Sequence, residues 1–179
     1  LDISSVNIPK FDGETLVVLD VSGSMSGKPS EIASLFGAML AKANNCDVMT
    51  FATSAGYKSY NPMDSILTIR NGFRFSGGGT NFKDIFLKAN KKYDRVIILS
   101  DMQGWMGYTT PASEFNLYKK KFNCNPYVYS WDLAGYSTLQ LPEQNVFALA
   151  GFSDKVFDIM KMMELDKKAL YNEIKAIKL

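Results

Sequence analysis

A chain of 179 residues, 46% apolar and 21% charged, fits one globular domain with a substantial core rather than a disordered polypeptide. Its net charge of +2 singles out no strongly charged partner. The absence of histidine excludes serine–histidine and cysteine–histidine triads, and histidine-bound zinc with them. Cys46 and Cys124 each stand just before a predicted strand and read as reduced, buried thiols packed as small apolar groups. The apolar runs are strand-length, so neither a signal peptide nor a membrane span is expected. Because it begins at Leu1 rather than methionine, the chain reads as a single domain, residues 1–179, excised from a larger protein.

Residues 15–20 form a short apolar run closed by a turn, the pattern of a buried strand. Residues 28–43 carry Ile32, Leu35, Phe36, Met39 and Leu40 at three- and four-residue spacing, an amphipathic helix with Pro29 in its first turn. Residues 48–51 are a second strand. A turn at 54–56 then leads to an edge strand near 57–60, expected to be antiparallel. Residues 81–91 read as a helix with Phe82, Ile85, Phe86 and Ala89 on one face and Thr80 as its N-cap. Residues 95–100 are the strongest strand, 112–121 a helix, and 127–131 and 146–149 further strands. The stretch 154–178 reads as helical with a break near Leu165-Asp166, placing Ile159, Met163, Leu170, Ile174 and Ile177 on one face. Phe152, Phe157 and Ile159 read as core contacts of this last helix, and Tyr129 and Trp131 as strand side chains under helices. Such alternation predicts an α/β fold, a mostly parallel sheet with helices on both faces. Ligands of such sheets gather beyond the carboxyl ends of the strands where the strand order reverses.

Three segments bring hard oxygen atoms to strand or helix edges. Asp20-Val21-Ser22-Gly23-Ser24 follows the apolar run Leu16-Val17-Val18-Leu19. Gly77-Gly78-Gly79-Thr80 precedes a helix, and Ser100-Asp101 follows Val96-Ile97-Ile98-Leu99. Singly, each has a plain explanation: Ser22, Ser24 and Thr80 as helix caps, Asp101 as a turn former. Jointly, Asp20, Ser22, Ser24, Thr80 and Asp101 read as a site for a divalent cation, Mg2+ or Mn2+ in its place. Other chemistries fit less well. The stretch 23–29 approaches a phosphate-binding P-loop but has one residue too few between its glycines, and Pro29 stands where Ser or Thr is needed. An aspartate-nucleophile phosphatase of the haloacid dehalogenase type wants a second acid two residues after Asp20, where Ser22 stands.

On these five residues the chain resembles von Willebrand factor type A domains that carry a metal-ion-dependent adhesion site. The resemblance implies a Rossmann-like fold and a binding module rather than an enzyme. It also implies roles: Ser22 and Ser24 bind the ion directly, and Thr80 does so directly or through water. Asp20 and Asp101 act from behind, orienting the serines and water. An anionic oxygen, such as a carboxylate from a protein partner, is then the natural further ligand.

A narrower resemblance lies in the second half. Residues 114–121, the strand at Tyr127, and Ala150-Gly151-Phe152-Ser153 with residues 156–160 resemble the carboxyl-terminal domain of Ro ribonucleoproteins, the TROVE-module proteins. This implies a cytoplasmic, monomeric domain of a protein that binds Y RNA and misfolded RNA, with RNA contacted mainly through parts absent here. With a net charge of only +2, the isolated domain is expected to bind RNA poorly. An extracellular adhesion or scaffolding domain is the second reading, and a magnesium-dependent phosphatase a distant third. On the loop leaving Asp101, Trp105 and Tyr108 are candidate partner anchors.

Overall fold

The computed structural model describes residues 8, 10–102, 110–133, 145–150 and 155–165. A six-stranded sheet runs in the order β3-β2-β1-β4-β5-β6. Its strands are β1 (Thr15–Asp20), β2 (Asp47–Phe51), β3 (Ala55–Tyr57), β4 (Arg95–Ser100), β5 (Tyr127–Asp132) and β6 (Val146–Ala150). All neighbours pair parallel except β3, which lies antiparallel on β2 at the edge. The helices are α1 (Lys28–Asn44), α2 (Ile66–Gly72), α3 (Phe82–Lys88), α4 (Pro111–Phe122) and α5 (Lys155–Leu165).

Strand residues alternate between the sheet's two faces, and each face has its own core. Val17, Leu19, Ile97, Leu99, Tyr129 and Trp131 meet α1, α2 and α5. Leu16, Val18, Val96, Ile98 and Val128 meet α3 and α4. Both faces of β1 and β4 are therefore covered, which is why their sequences are continuously apolar rather than alternating. Trp131 packs against Phe36 and Phe157, with ring centroids 4.9 and 5.7 Å away. Gly37 lets α1 approach β1 closely, since a Cβ there would stand 2.8 Å from the Leu19 side chain.

Several expectations need correction. Helix α3 is shorter than expected, and its N-cap is Asn81 rather than Thr80. Edge strand β3 begins at Ala55, inside the stretch read as a turn, and ends at Tyr57. Helix α2 was not foreseen; Ser65 caps it by accepting from the Thr68 N–H at 3.1 Å. On α5 the core face is Val156, Phe157 and Met160, whereas Ile159 is 37% exposed. Both cysteines are free thiols, but only Cys46 is buried and Cys124 is half-exposed.

Candidate functional site

Strands β1 and β4 are neighbours, and the strand order reverses between them. Their carboxyl ends therefore place Asp20 and Ser100-Asp101 side by side at the switch point. Both acids are buried, Asp20 fully. The chain leaves β1 through a single 3-10 turn, Gly23–Met25, and Ser22 precedes it without capping it. Helix α1 then starts after Gly27, so neither serine is spent as a helix cap.

Asp20 is locked from two sides. Its Oδ1 accepts the Ser22 N–H at 2.9 Å, and its Oδ2 accepts the Ser100 hydroxyl at 2.6 Å. Ser100 Oγ in turn accepts the Met102 N–H at 2.9 Å, across a backbone that turns left-handed at Met102 (φ 57°). The Asp101 N–H points to Met25 Sδ at 3.2 Å. Burial pushes the Asp20 carboxyl up from its ordinary range, hydrogen bonds from Ser100 and Ser22 pull it back, and the nearby Asp101 charge raises it again.

The glycine-rich loop is stitched onto the same turn by backbone bonds. The Gly23 N–H donates to Gly78 O at 3.1 Å, and the Gly77 N–H to Val21 O at 3.1 Å. Gly77 and Gly78 have φ of 76° and 96°, a left-handed conformation that suits glycine. Thr53, at the end of β2, holds the loop from the other side by accepting the Gly79 N–H at 3.3 Å. Asn81 ties the next residue down, its amide donating to Thr53 O and its backbone N–H to Ala52 O. Thr80 is thus fixed beside the turn in a buried position, and among the described residues its hydroxyl has no hydrogen-bond partner.

Of the five residues singled out in the sequence, Asp20, Ser22, Ser24 and Asp101 gather on one edge, and Thr80 sits on the loop bonded to it. The Ser22 and Ser24 hydroxyls are 3.2 Å apart. Adjacent oxygen ligands of an octahedral ion with bonds of 2.0–2.1 Å stand about 3 Å apart, so the two serines fit neighbouring positions on such an ion. Among the described residues no group of three or more carboxylates or thiols converges to hold a metal, so a cation here would depend on hydroxyls. Ser100, placed at this edge by the sequence but given no role of its own, is joined by two residues that were not foreseen, Thr53 and Asp132, which ends β5 beside Ser100 and is buried. The candidate anchors Trp105 and Tyr108 lie outside the described residues.

No family profile matches the chain. It is 28% identical over 170 residues to an uncharacterized protein, L728, of Acanthamoeba polyphaga mimivirus, covering 80% of this chain and 29% of the viral protein. Its structure superimposes on the Ro (RSR) protein of Deinococcus radiodurans with a TM-score of 0.69 and 20% identity, covering 82% of this chain and 33% of that one. Proximal thread matrix protein 1 of the mussel byssus matches with a TM-score of 0.56 and 22% identity, over 84% and 44% of the two chains. The same matrix protein with zinc in its MIDAS motif matches at 0.53 and 21%, over 88% and 45%. The fold is that of a von Willebrand factor type A domain resembling Ro. At these identities the type A likeness is one of fold, and the chain spans less than half the length of each of these proteins. Among the described residues no helix is long and apolar enough to cross a membrane.

Proposed function

We propose that this type A domain is a divalent-cation-dependent interaction module rather than an enzyme. Ser22, Ser24 and Thr80 would hold Mg2+ or Mn2+, with Asp20 and Asp101 behind them. The observation that carries this reading is the pair of hydroxyls 3.2 Å apart over a carboxylate whose two oxygens are already engaged. Asp20 orients Ser22 through its backbone N–H and receives negative reinforcement from Asp101, a surrounding that favours a cation. A bound ion supplies Lewis acidity: with neutral hydroxyls as protein ligands it retains charge for an anionic oxygen, such as a partner's carboxylate. The same engagement of Asp20 argues against a phosphatase, because a nucleophilic carboxylate needs a free oxygen and Asp20 is fully buried.

Likeness in fold to Ro supports a cytoplasmic domain of a small-RNA-binding protein, its RNA contacts lying mainly in other parts of that protein. Likeness to the byssus matrix protein favours the second reading, an extracellular scaffold domain. Calorimetric titration with Mg2+ and Mn2+ tests the shared core of both. Saturable binding that Thr80→Ala weakens is the expected result; no binding, or equal binding by the variant, overturns it. The intact protein separates the two settings: helical repeats upstream support the Ro-like one, and a signal peptide the scaffold.

A further inference from the structure

Helices α1 and α2 enclose a groove of about 460 Å³ bordered by Ser30, Ser34, Arg70, Asn71, Phe73 and Phe75. It opens toward the carboxyl edge of the sheet. Ser30 lies in the first turn of α1, just beyond the serine turn, and Phe75 stands two residues before Gly77, which is bonded to Val21. Arg70 is the chemically active member of this groove. Its Nε donates to Ser34 Oγ at 3.3 Å, and Ser34 donates onward to the Glu31 carbonyl at 3.0 Å. That bond fixes the guanidinium plane. Among the described residues no acceptor engages its two terminal nitrogens, and although the Glu31 carboxylate borders the same groove, no ion pair joins it to Arg70.

An exposed apolar side chain and two aromatic rings accompany Arg70. Leu67, one turn before Arg70 on α2, is 50% exposed. Phe73 is buried and Phe75 packs against the core, so two aromatic side chains anchor one side of the groove. A held guanidinium offering two parallel N–H donors matches one carboxylate better than a diffuse charge, and arginine beside apolar anchors is typical of energetic centres in interfaces. A lysine on a mobile stem would give neither the fixed plane nor the paired donors.

We propose that this groove docks an acidic peptide segment of a protein partner. A side-chain carboxylate of the segment accepts from both terminal nitrogens of Arg70, and an apolar side chain covers Leu67. Charge complementarity selects the occupant, because the Arg70 terminal nitrogens are unengaged among the described residues and Glu31, in the same groove, makes no ion pair with them. The site uses none of the residues assigned to the metal, so it stands whether or not a cation binds.

Panning phage-displayed random peptides on the chain in excess EDTA tests this, because the chelator silences the metal edge. Enriched peptides should carry Asp or Glu next to an apolar residue. Their binding should fall about tenfold or more with Arg70→Glu and less with Arg70→Lys, which keeps charge but loses the paired donors. Lys120→Glu, on the other face of the sheet, should leave binding unchanged, and thermal unfolding checks that each variant is folded. Replacing the peptide's acid by Lys should restore binding to the Arg70→Glu variant and abolish it with wild type. Failure to enrich any peptide, enriched peptides without acids, or equal binding by wild type and Arg70→Glu would each overturn the proposal.

Discussion

The two ends of the parallel strands handle charge in opposite ways. At the amino end, opposite charges meet inside the chain. Arg95, at the start of β4, pairs with Glu164 of α5, donates to Thr15 Oγ1 at 2.7 Å and lies 4.3 Å from the Phe11 ring. Lys91 reaches Glu14 at 2.6 Å and Asp47 at 3.0 Å, and Asp47 also accepts the Tyr93 hydroxyl. At the carboxyl end, Asp20 is held by a hydroxyl and a backbone N–H, and the charged group acting on it is a second acid, Asp101. One end closes electrostatically on itself. The other gathers buried acids at some cost in desolvation, the charge that the proposed cation would meet.

Breaking the closed end should give the largest effect. Glu164→Ala leaves the Arg95 guanidinium, only 3% exposed, without its counter-ion, and removes an acceptor from the Tyr129 hydroxyl. Removing one member of a buried pair costs about 3–5 kcal/mol, and Glu164, 17% exposed, belongs near the lower figure. Thermal unfolding should drop by about 10 °C, while Mg2+ affinity measured below that temperature stays unchanged. A fall in affinity would mean that the two ends are coupled.

The open end should respond in the reverse sense. Asp20→Asn removes a buried negative charge next to Asp101, so stability in EDTA should hold or rise. Cation affinity should fall about 10–100-fold. The stabilisation that saturating Mg2+ gives the wild type should shrink with it. Loss of stability in EDTA together with undiminished affinity would reverse the assignment of the two ends.

The sequence disclosed this contrast unevenly. Continuous apolar runs ending in Asp20 and in Ser100-Asp101 identified two central strands and the edge beyond them, because burial on both faces leaves no alternation to misread. Thr80 was misread as a cap. Its neighbour Asn81 is tied to the end of β2 by Ala52 and Thr53, contacts about thirty positions away that no local pattern encodes. Helix α2 was missed because Ile66-Leu67-Thr68-Ile69 is rich in β-branched residues; Ser65 before it was the available sign. Ser100 was placed at the edge but its role went unread for another reason. Only the register, with Leu19 opposite Leu99, puts the Ser100 hydroxyl beside Asp20.

Ser100 gives a smaller, sharper test of the open end. It touches no candidate ligand position directly and acts by fixing Asp20 Oδ2. Ser100→Ala should weaken Mg2+ binding about tenfold, toward the lower end of what removing such a supporting group costs. Ser100→Thr, which keeps the hydroxyl, should restore most of it. Equal weakening by both variants would show that packing at this fully buried position matters rather than the hydrogen bond.

The smallest effect belongs to the thiols, which report on the closed end. Cys46 is buried beside Asp47, and burial pushes its thiol up to about 12. At pH 8 only about one molecule in ten thousand then carries the reactive thiolate. Cys124 is half-exposed. Burial raises its thiol too, but the Tyr118 hydroxyl, Lys92 and Lys119 favour the anion and offset part of that rise. Iodoacetamide at pH 8 should therefore label Cys124 first and reach Cys46 only at the rate of unfolding, as mass spectrometry of the labelled peptides would record. Mg2+ should leave the Cys124 rate unchanged, because that residue lies just before β5, at the end away from the serine turn. Protection of Cys124 by Mg2+ would put the cation at the wrong end of the sheet, and equal labelling of both thiols would contradict the sealed packing around Cys46.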